Sequence, residues 1–167
     1  MGCKSAVIVC EDARLDLAVN AALLSAFKTT GQRCVSAGRV LVHRSLLGKF
    51  EEQLCARASQ LKFADPFTPG AFAGPLINAM SVEKVLRYNA LAKEEHAQVL
   101  LDGGRLTSDG REHGNFIGPF IYRQEYGPGV RTIREEVFGP HLAVIPFDDD
   151  EQAIRIYNDT RYGLSMA

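Results

Sequence analysis

Short apolar runs alternate with stretches of helical period along the whole of this chain, and that alternation restricts the fold more than any single residue does. Residues 5–10 are an apolar run stopped by Glu11-Asp12, which reads as a buried strand leading into a helix with Asp12 as its N-cap. Leu15, Val19, Ala22, Leu23, Ala26 and Phe27 then recur on one helical face over residues 13–28, and Thr29-Thr30-Gly31 ends the pattern. A strand is expected at 39–43, followed by a helix capped by Ser45 whose stripe is Leu47, Phe50, Leu54, Ala58 and Leu61. Residues 63–75, rich in proline and glycine, form a loop. Ser81 opens a helix with Val82, Val85, Leu86 and Asn89 on one face, and a strand at 99–101 stops at Asp102-Gly103-Gly104. Pro119 interrupts a strand at 116–122, which argues for an edge or irregular position. A cleaner strand comes next, at 142–147. Asp148-Asp149-Asp150 then places negative charge at the start of a helix carrying Ala153, Ile154 and Tyr157. The sum is an α/β fold, a three-layer αβα arrangement around a mostly parallel sheet, and 167 residues suffice for one such core.

Composition narrows the partners. Nineteen basic against twenty acidic residues give a net charge of -1, and no window gathers lysine and arginine as a phosphate-tracking surface requires, so nucleic acid is not expected. No apolar run approaches the length of a membrane span, and the N-terminus has no secretory pattern. The opening Met-Gly-Cys-Lys-Ser-Ala departs from the myristoylation pattern at Ala6. Cys3, Cys10, Cys34 and Cys55 share no CxxC spacing and the histidines stand singly, so neither a zinc site nor a disulfide framework is supported. Free thiols of this kind suit a reducing cytoplasm.

Two segments could carry chemistry. Cys34, in Gly31-Gln32-Arg33-Cys34, follows a glycine-ended helix and precedes a strand, which sets a thiol at the rim of the sheet with Arg33 and backbone amides at hand to stabilise a thiolate. Against this, free cysteine most often serves as a small buried hydrophobe, the role expected of Cys10 and Cys55. Glu135-Glu136-Val137-Phe138-Gly139-Pro140 puts paired carboxylates before an aromatic and a turn, able to do acid/base work or bind sugar hydroxyls, or simply to be a solvated lead-in to a strand. His43, His96, His113 and His141 read as surface or satisfied core histidines.

Taken in order and spacing, these segments resemble the aldehyde dehydrogenase superfamily across essentially the whole chain. Met1-Gly2-Cys3-Lys4 is similar to the tail of the family's Glu-Leu-Gly-Gly-Lys motif, with Cys3 where a second glycine is usual, and Gly31-Gln32-Arg33-Cys34 to its Gly-Gln-x-Cys nucleophile motif. Asp65-Pro66-Phe67 with Gly74-Pro75-Leu76-Ile77, Phe116-Ile117-Gly118-Pro119, the Glu136-Val137-Phe138-Gly139-Pro140 stretch and Asn158-Asp159-Thr160-Arg161-Tyr162-Gly163-Leu164-Ser165 resemble further family motifs.

The resemblance implies oxidation of an aldehyde, in some groups a semialdehyde, to the carboxylic acid with NAD or NADP. Cys34 would attack the carbonyl to give a thiohemiacetal and then a thioester, Glu136 would accept the hydroxyls of the nicotinamide ribose, Phe138 would pack near the nicotinamide, and Lys84 would approach the same ribose. It also implies that residues 1–167 are a partial catalytic domain. The general-base glutamate would stand one residue before Met1, the Rossmann cofactor domain upstream and a closing segment downstream, so that the isolated chain is expected to be inactive and the parent enzyme a homo-oligomer. A coenzyme A-acylating aldehyde dehydrogenase, and a non-catalytic interaction or thiol-sensing module, are the alternatives.

Overall fold

The computed structural model describes residues 2–167, so the Met1 end of the Gly-Gly-Lys-like motif lies outside the described residues. Its strands are β1 (Ser5–Val9), β2 (Ala37–His43), β3 (Gln98–Leu101), β4 (Phe120–Arg123) and β5 (His141–Phe147), and its helices α1 (Leu15–Phe27), α2 (Leu47–Ala58), α3 (Ala79–Glu94) and α4 (Asp150–Asn158). They form one sheet in the order β1-β2-β5-β4-β3, parallel throughout except for the antiparallel β3 at the edge. The expected α/β architecture is therefore what the chain adopts.

Strand alternation explains the layers. In β2, Val40 and Val42 face one core while Leu41 faces the other, as do Leu142 and Val144 against Ala143, Ile145 and Phe147 in β5. The first core is closed by Val19, Leu23 and Phe27 of α1 with Phe50 and Leu54 of α2. Ala153 and Ile156 of α4 and Ala92 of α3 close the second. Burying each large aliphatic or aromatic side chain contributes about 1.5–3 kcal/mol, so the alternating pattern fixes the register firmly. Among the described residues, no helix is long and apolar enough to cross a membrane.

Several local expectations are corrected. Asp12 caps nothing: α1 begins after Arg14, and no side chain caps it. Ser45 does not cap α2 either, because its hydroxyl pairs with Nδ1 of His43 at 2.7 Å. For α3 the cap is Asn78, whose side chain accepts from the Ser81 N–H at 2.8 Å, so the helix starts two residues before Ser81. The acidic cap of α4 is as expected, with Asp149 accepting from the Gln152 N–H at 2.7 Å. Leu86 and Ile154 are exposed, their places in the stripes taken by Tyr88 and Ile156. Pro119 does not mark an edge. It stands immediately before β4, an interior strand between β5 and β3, where its missing N–H breaks no ladder. Cys10 is exposed rather than core, since β1 ends at Val9.

Candidate active site

The turn bearing Cys34 begins with unusual backbone. After α1 the chain passes through Thr29, Thr30 and Gly31 at φ of 58°, 58° and 67°, so three successive residues are left-handed. β-Branched residues there are outliers that cost on the order of 1–3 kcal/mol each. Thr30 is buried and donates from its hydroxyl to the Gly74 carbonyl at 2.8 Å, whereas Thr29 is exposed. Thr29→Asn, which tolerates this conformation, is expected to stabilise the chain by ~1 kcal/mol and to raise Tm by ~3 °C in thermal unfolding. An unchanged or lower Tm would show that the turn is unstrained.

Gln32 links this turn to a second loop. Its Oε1 accepts from the Ile77 N–H at 2.9 Å and its Nε2 donates to the Pro75 carbonyl at 3.4 Å, so the Gly-Pro loop and the cysteine turn are tied by one side chain. The Ser36 N–H donates to the Arg33 carbonyl at 2.9 Å, which folds residues 33–36 into a turn with Cys34 at its outer side. Cys34 is exposed. Among the described residues no hydrogen bond engages its backbone N–H, leaving that donor free for an oxygen of a reacting carbonyl.

Close packing of glycines brings the second chemical segment to the first. A Cβ on Gly31 would lie 2.3 Å from the Gly139 carbonyl oxygen, and one on Gly139 would lie 2.3 Å from Val85 Cγ2 of α3. The loop is thus pressed between the cysteine turn and α3. Phe138, at φ 64°, turns its ring outward and keeps 42% of its surface exposed.

The paired acids face different ways. Glu135 is held by Arg131, whose Nε is 2.8 Å away, and by the Tyr88 hydroxyl, and these partners hold its carboxyl down at about 2. Glu136 turns inward: its Oε1 accepts from the Cys3 N–H at 2.9 Å. Gly2 packs between the other oxygen and the Tyr162 ring: a Cβ there would stand 3.0 Å from Glu136 Oε2 and 2.7 Å from Tyr162 Cε1.

Cys3, Lys4, Arg33, Ser36, Glu136 and Phe138 line a common cavity. It lies at the amino ends of β1, β2 and β5, opposite the carboxyl ends where open α/β sheets ordinarily bind ligands. Arg33 and Ser36 flank Cys34, so the cavity runs beneath the Cys34 turn. Lys84 is half-buried on α3, near enough for its charge to act against the Lys4 ammonium, but it does not line the cavity.

Two further residues belong to this region without being singled out by the sequence. Lys4 is 4% exposed, and its Nζ donates to the Thr132 carbonyl at 2.8 Å. Burial, chiefly, and then the Arg39 charge lower its pKa from 10.5 to about 7. With Cys3 it anchors the 132–136 loop at both ends. His141 is the other, and it corrects the expectation of a satisfied core histidine: it is 2% exposed, and among the described residues neither ring nitrogen finds a hydrogen-bond partner. The signals for the first are its place at the end of the Gly-Gly-Lys-like motif and immediately before an apolar strand; a lone histidine gives none for the second.

Known proteins share this fold. The family model described as "Aldehyde dehydrogenase family" matches residues 1–167. Among solved structures, the chain is similar to HpcC from Thermus thermophilus, with 34% identity and a TM-score of 0.92 over 99% of this chain and 33% of that one. It is likewise similar to a betaine aldehyde dehydrogenase of Staphylococcus aureus solved with NAD+, at 34% identity and a TM-score of 0.94 over 99% of this chain and 33% of that one. PnpE in complex with nicotinamide adenine dinucleotide gives 35% identity and a TM-score of 0.93 over 99% of this chain and 34% of that one. The chain spans about a third of the length of these structures.

Proposed function

This chain belongs to the aldehyde dehydrogenase family, and from that premise we propose that it carries the nucleophile of an enzyme oxidising a small aldehyde to the acid, with Cys34 as that nucleophile. The observation that carries the reading is the exposed Cys34 on a turn locked by Gln32 and packed, through Gly31 and Gly139, against the loop that presents Glu136 and Phe138.

Cys34 acts as a thiolate. Its sulfur attacks the carbonyl carbon, and the oxygen that gains negative charge is met by the Cys34 N–H, giving a thiohemiacetal. Loss of hydride from that carbon leaves a thioester, which water hydrolyses to the acid. NAD or NADP, when bound, supplies the hydride acceptor. The residues suit such a group: Glu136 lines the cavity with a carboxylate able to accept ribose hydroxyls, and Phe138 beside it offers an exposed aromatic face. Lys84, on the helix behind the loop, is the second contact we assign to the ribose. Residues 1–167 act in this reading as part of a catalytic domain.

Alkylation tests the nucleophile directly. Partial desolvation and then the nearby carboxylates of Asp150, Asp12 and Glu11 push the exposed Cys10 thiol up, and burial with Glu51 does the same to Cys55. Iodoacetamide at neutral pH should therefore label Cys34 first, by about tenfold or more, as peptide mapping will show. Slower labelling of Cys34 than of Cys10 would remove the basis of the assignment. In any longer polypeptide containing this segment, Cys34→Ala is expected to lower NAD(P)-dependent aldehyde oxidation by about 10³-fold or more. Formation of an acyl-coenzyme A in place of the acid would assign the acylating branch.

A further inference from the structure

His141 opens β5 with its ring stacked on Phe120 at 5.5 Å and packed against Tyr122 at 4.9 Å and Tyr88 at 6.3 Å. A neutral imidazole retains one donor and one acceptor, and burying either without a partner forfeits the hydrogen bond it makes to water in the unfolded chain. The carbonyls of Tyr88 and of His141 itself lie near the ring, yet neither nitrogen forms a bond of acceptable geometry with them. Burial and the Lys4 charge lower the ring's pKa to about 3, so an unprotonated nitrogen is available at neutral pH.

Lys4 has the complementary surplus. Of the N–H groups on its ammonium, only the one to Thr132 finds an acceptor among the described residues. Both side chains wall the cavity beneath the Cys34 turn, whose volume is about 20 Å³. A single water needs roughly 10–15 Å³ and two to four polar partners. Between Lys4 and His141 a cation would meet the Lys4 charge with Arg39 and Lys84 beside it, opposed only by Glu135 and Glu136.

We infer that one water molecule is bound in this cavity, accepting a hydrogen bond from Lys4 Nζ and donating one to the unprotonated ring nitrogen of His141. The site joins the loop that carries Glu136 to the first residue of β5 through a continuous buried polar chain, Thr132 carbonyl to Lys4 to water to His141. It stands independently of the chemistry assigned to Cys34.

The test uses the chain as it is. A crystal structure at atomic resolution should show one water within ~2.7–3.2 Å of both Lys4 Nζ and a His141 ring nitrogen. Density absent there, or bonded to only one of the two, overturns the inference. In ¹³C-lysine NMR, His141→Phe is expected to lower the Lys4 titration midpoint by about one pH unit, because the ammonium loses a solvating partner. An unmoved midpoint in a folded variant also overturns it. Should His141→Phe not fold, the wild-type density decides alone.

Discussion

Gly31→Ala is expected to destabilise the chain by about 3–4 kcal/mol, combining ~1 kcal/mol for a side chain at positive φ with ~2–3 kcal/mol for overpacking. The glycine sits at φ 67°, and a Cβ there would lie 2.3 Å from the Gly139 oxygen, 2.7 Å from the Gly139 carbon and 2.8 Å from the Ala26 oxygen. All three are backbone atoms, so relief requires two loops to part rather than a side chain to swing. Urea unfolding should show a lower midpoint at an unchanged slope. Because the same contact holds the Cys34 turn against the Glu136 loop, thiol labelling of the folded variant should also lose its preference for Cys34. A loss below ~1 kcal/mol would show that the two loops are not in contact.

Lys4→Met should change how stability depends on pH. In the folded chain the Lys4 pKa is about 7, against an ordinary 10.5. Between those values the unfolded chain binds more protons, so this group makes the native state gain stability as pH rises from 7 to 10.5. Below pH 7 the cost of burying the charge is present in full; above 10.5 it is gone. The fall from 10.5 to about 7 corresponds to on the order of 5 kcal/mol at ~1.4 kcal/mol per pH unit. Losing the Thr132 hydrogen bond offsets about 1–2 kcal/mol of that. Methionine is therefore expected to be the more stable by about 3 kcal/mol at pH 6, with the advantage vanishing or reversing by pH 10. Urea midpoints for both chains across that range measure it. Parallel curves would mean that Lys4 keeps its ordinary proton affinity.

Much of the architecture is legible in the sequence because burial follows period. Val19, Leu23 and Phe27, or Val40 and Leu41, declare their faces by spacing alone. Caps are less legible: Asp12, Ser45 and Ser81 carry suitable side chains, but Asn78 takes the role for α3 and the first turns of α1 and α2 go without. Pro119 misleads because proline excludes itself from a ladder without excluding the strand that starts one residue later. For the site, the order of motifs brings Cys34, Glu136 and Phe138 into view. The hidden part depends on contact. Nothing in Glu135-Glu136 says that Arg131 and Tyr88 take the first carboxylate outward. Nor does a single histidine at the start of a strand reveal that three aromatic rings enclose it.

The placement of β5 bears on how the chain is made. It comes from residues 141–147 yet occupies the middle of the sheet, between β2 and β4. During synthesis the β1–β2 pair must wait, with the open edge at Val40 and Val42 uncovered, until residues 141–147 have emerged from the ribosome, about a hundred residues after β2. Nascent chains that stall before His141 would carry an unpaired interior strand edge, a template for aggregation, and would depend on chaperones to stay soluble.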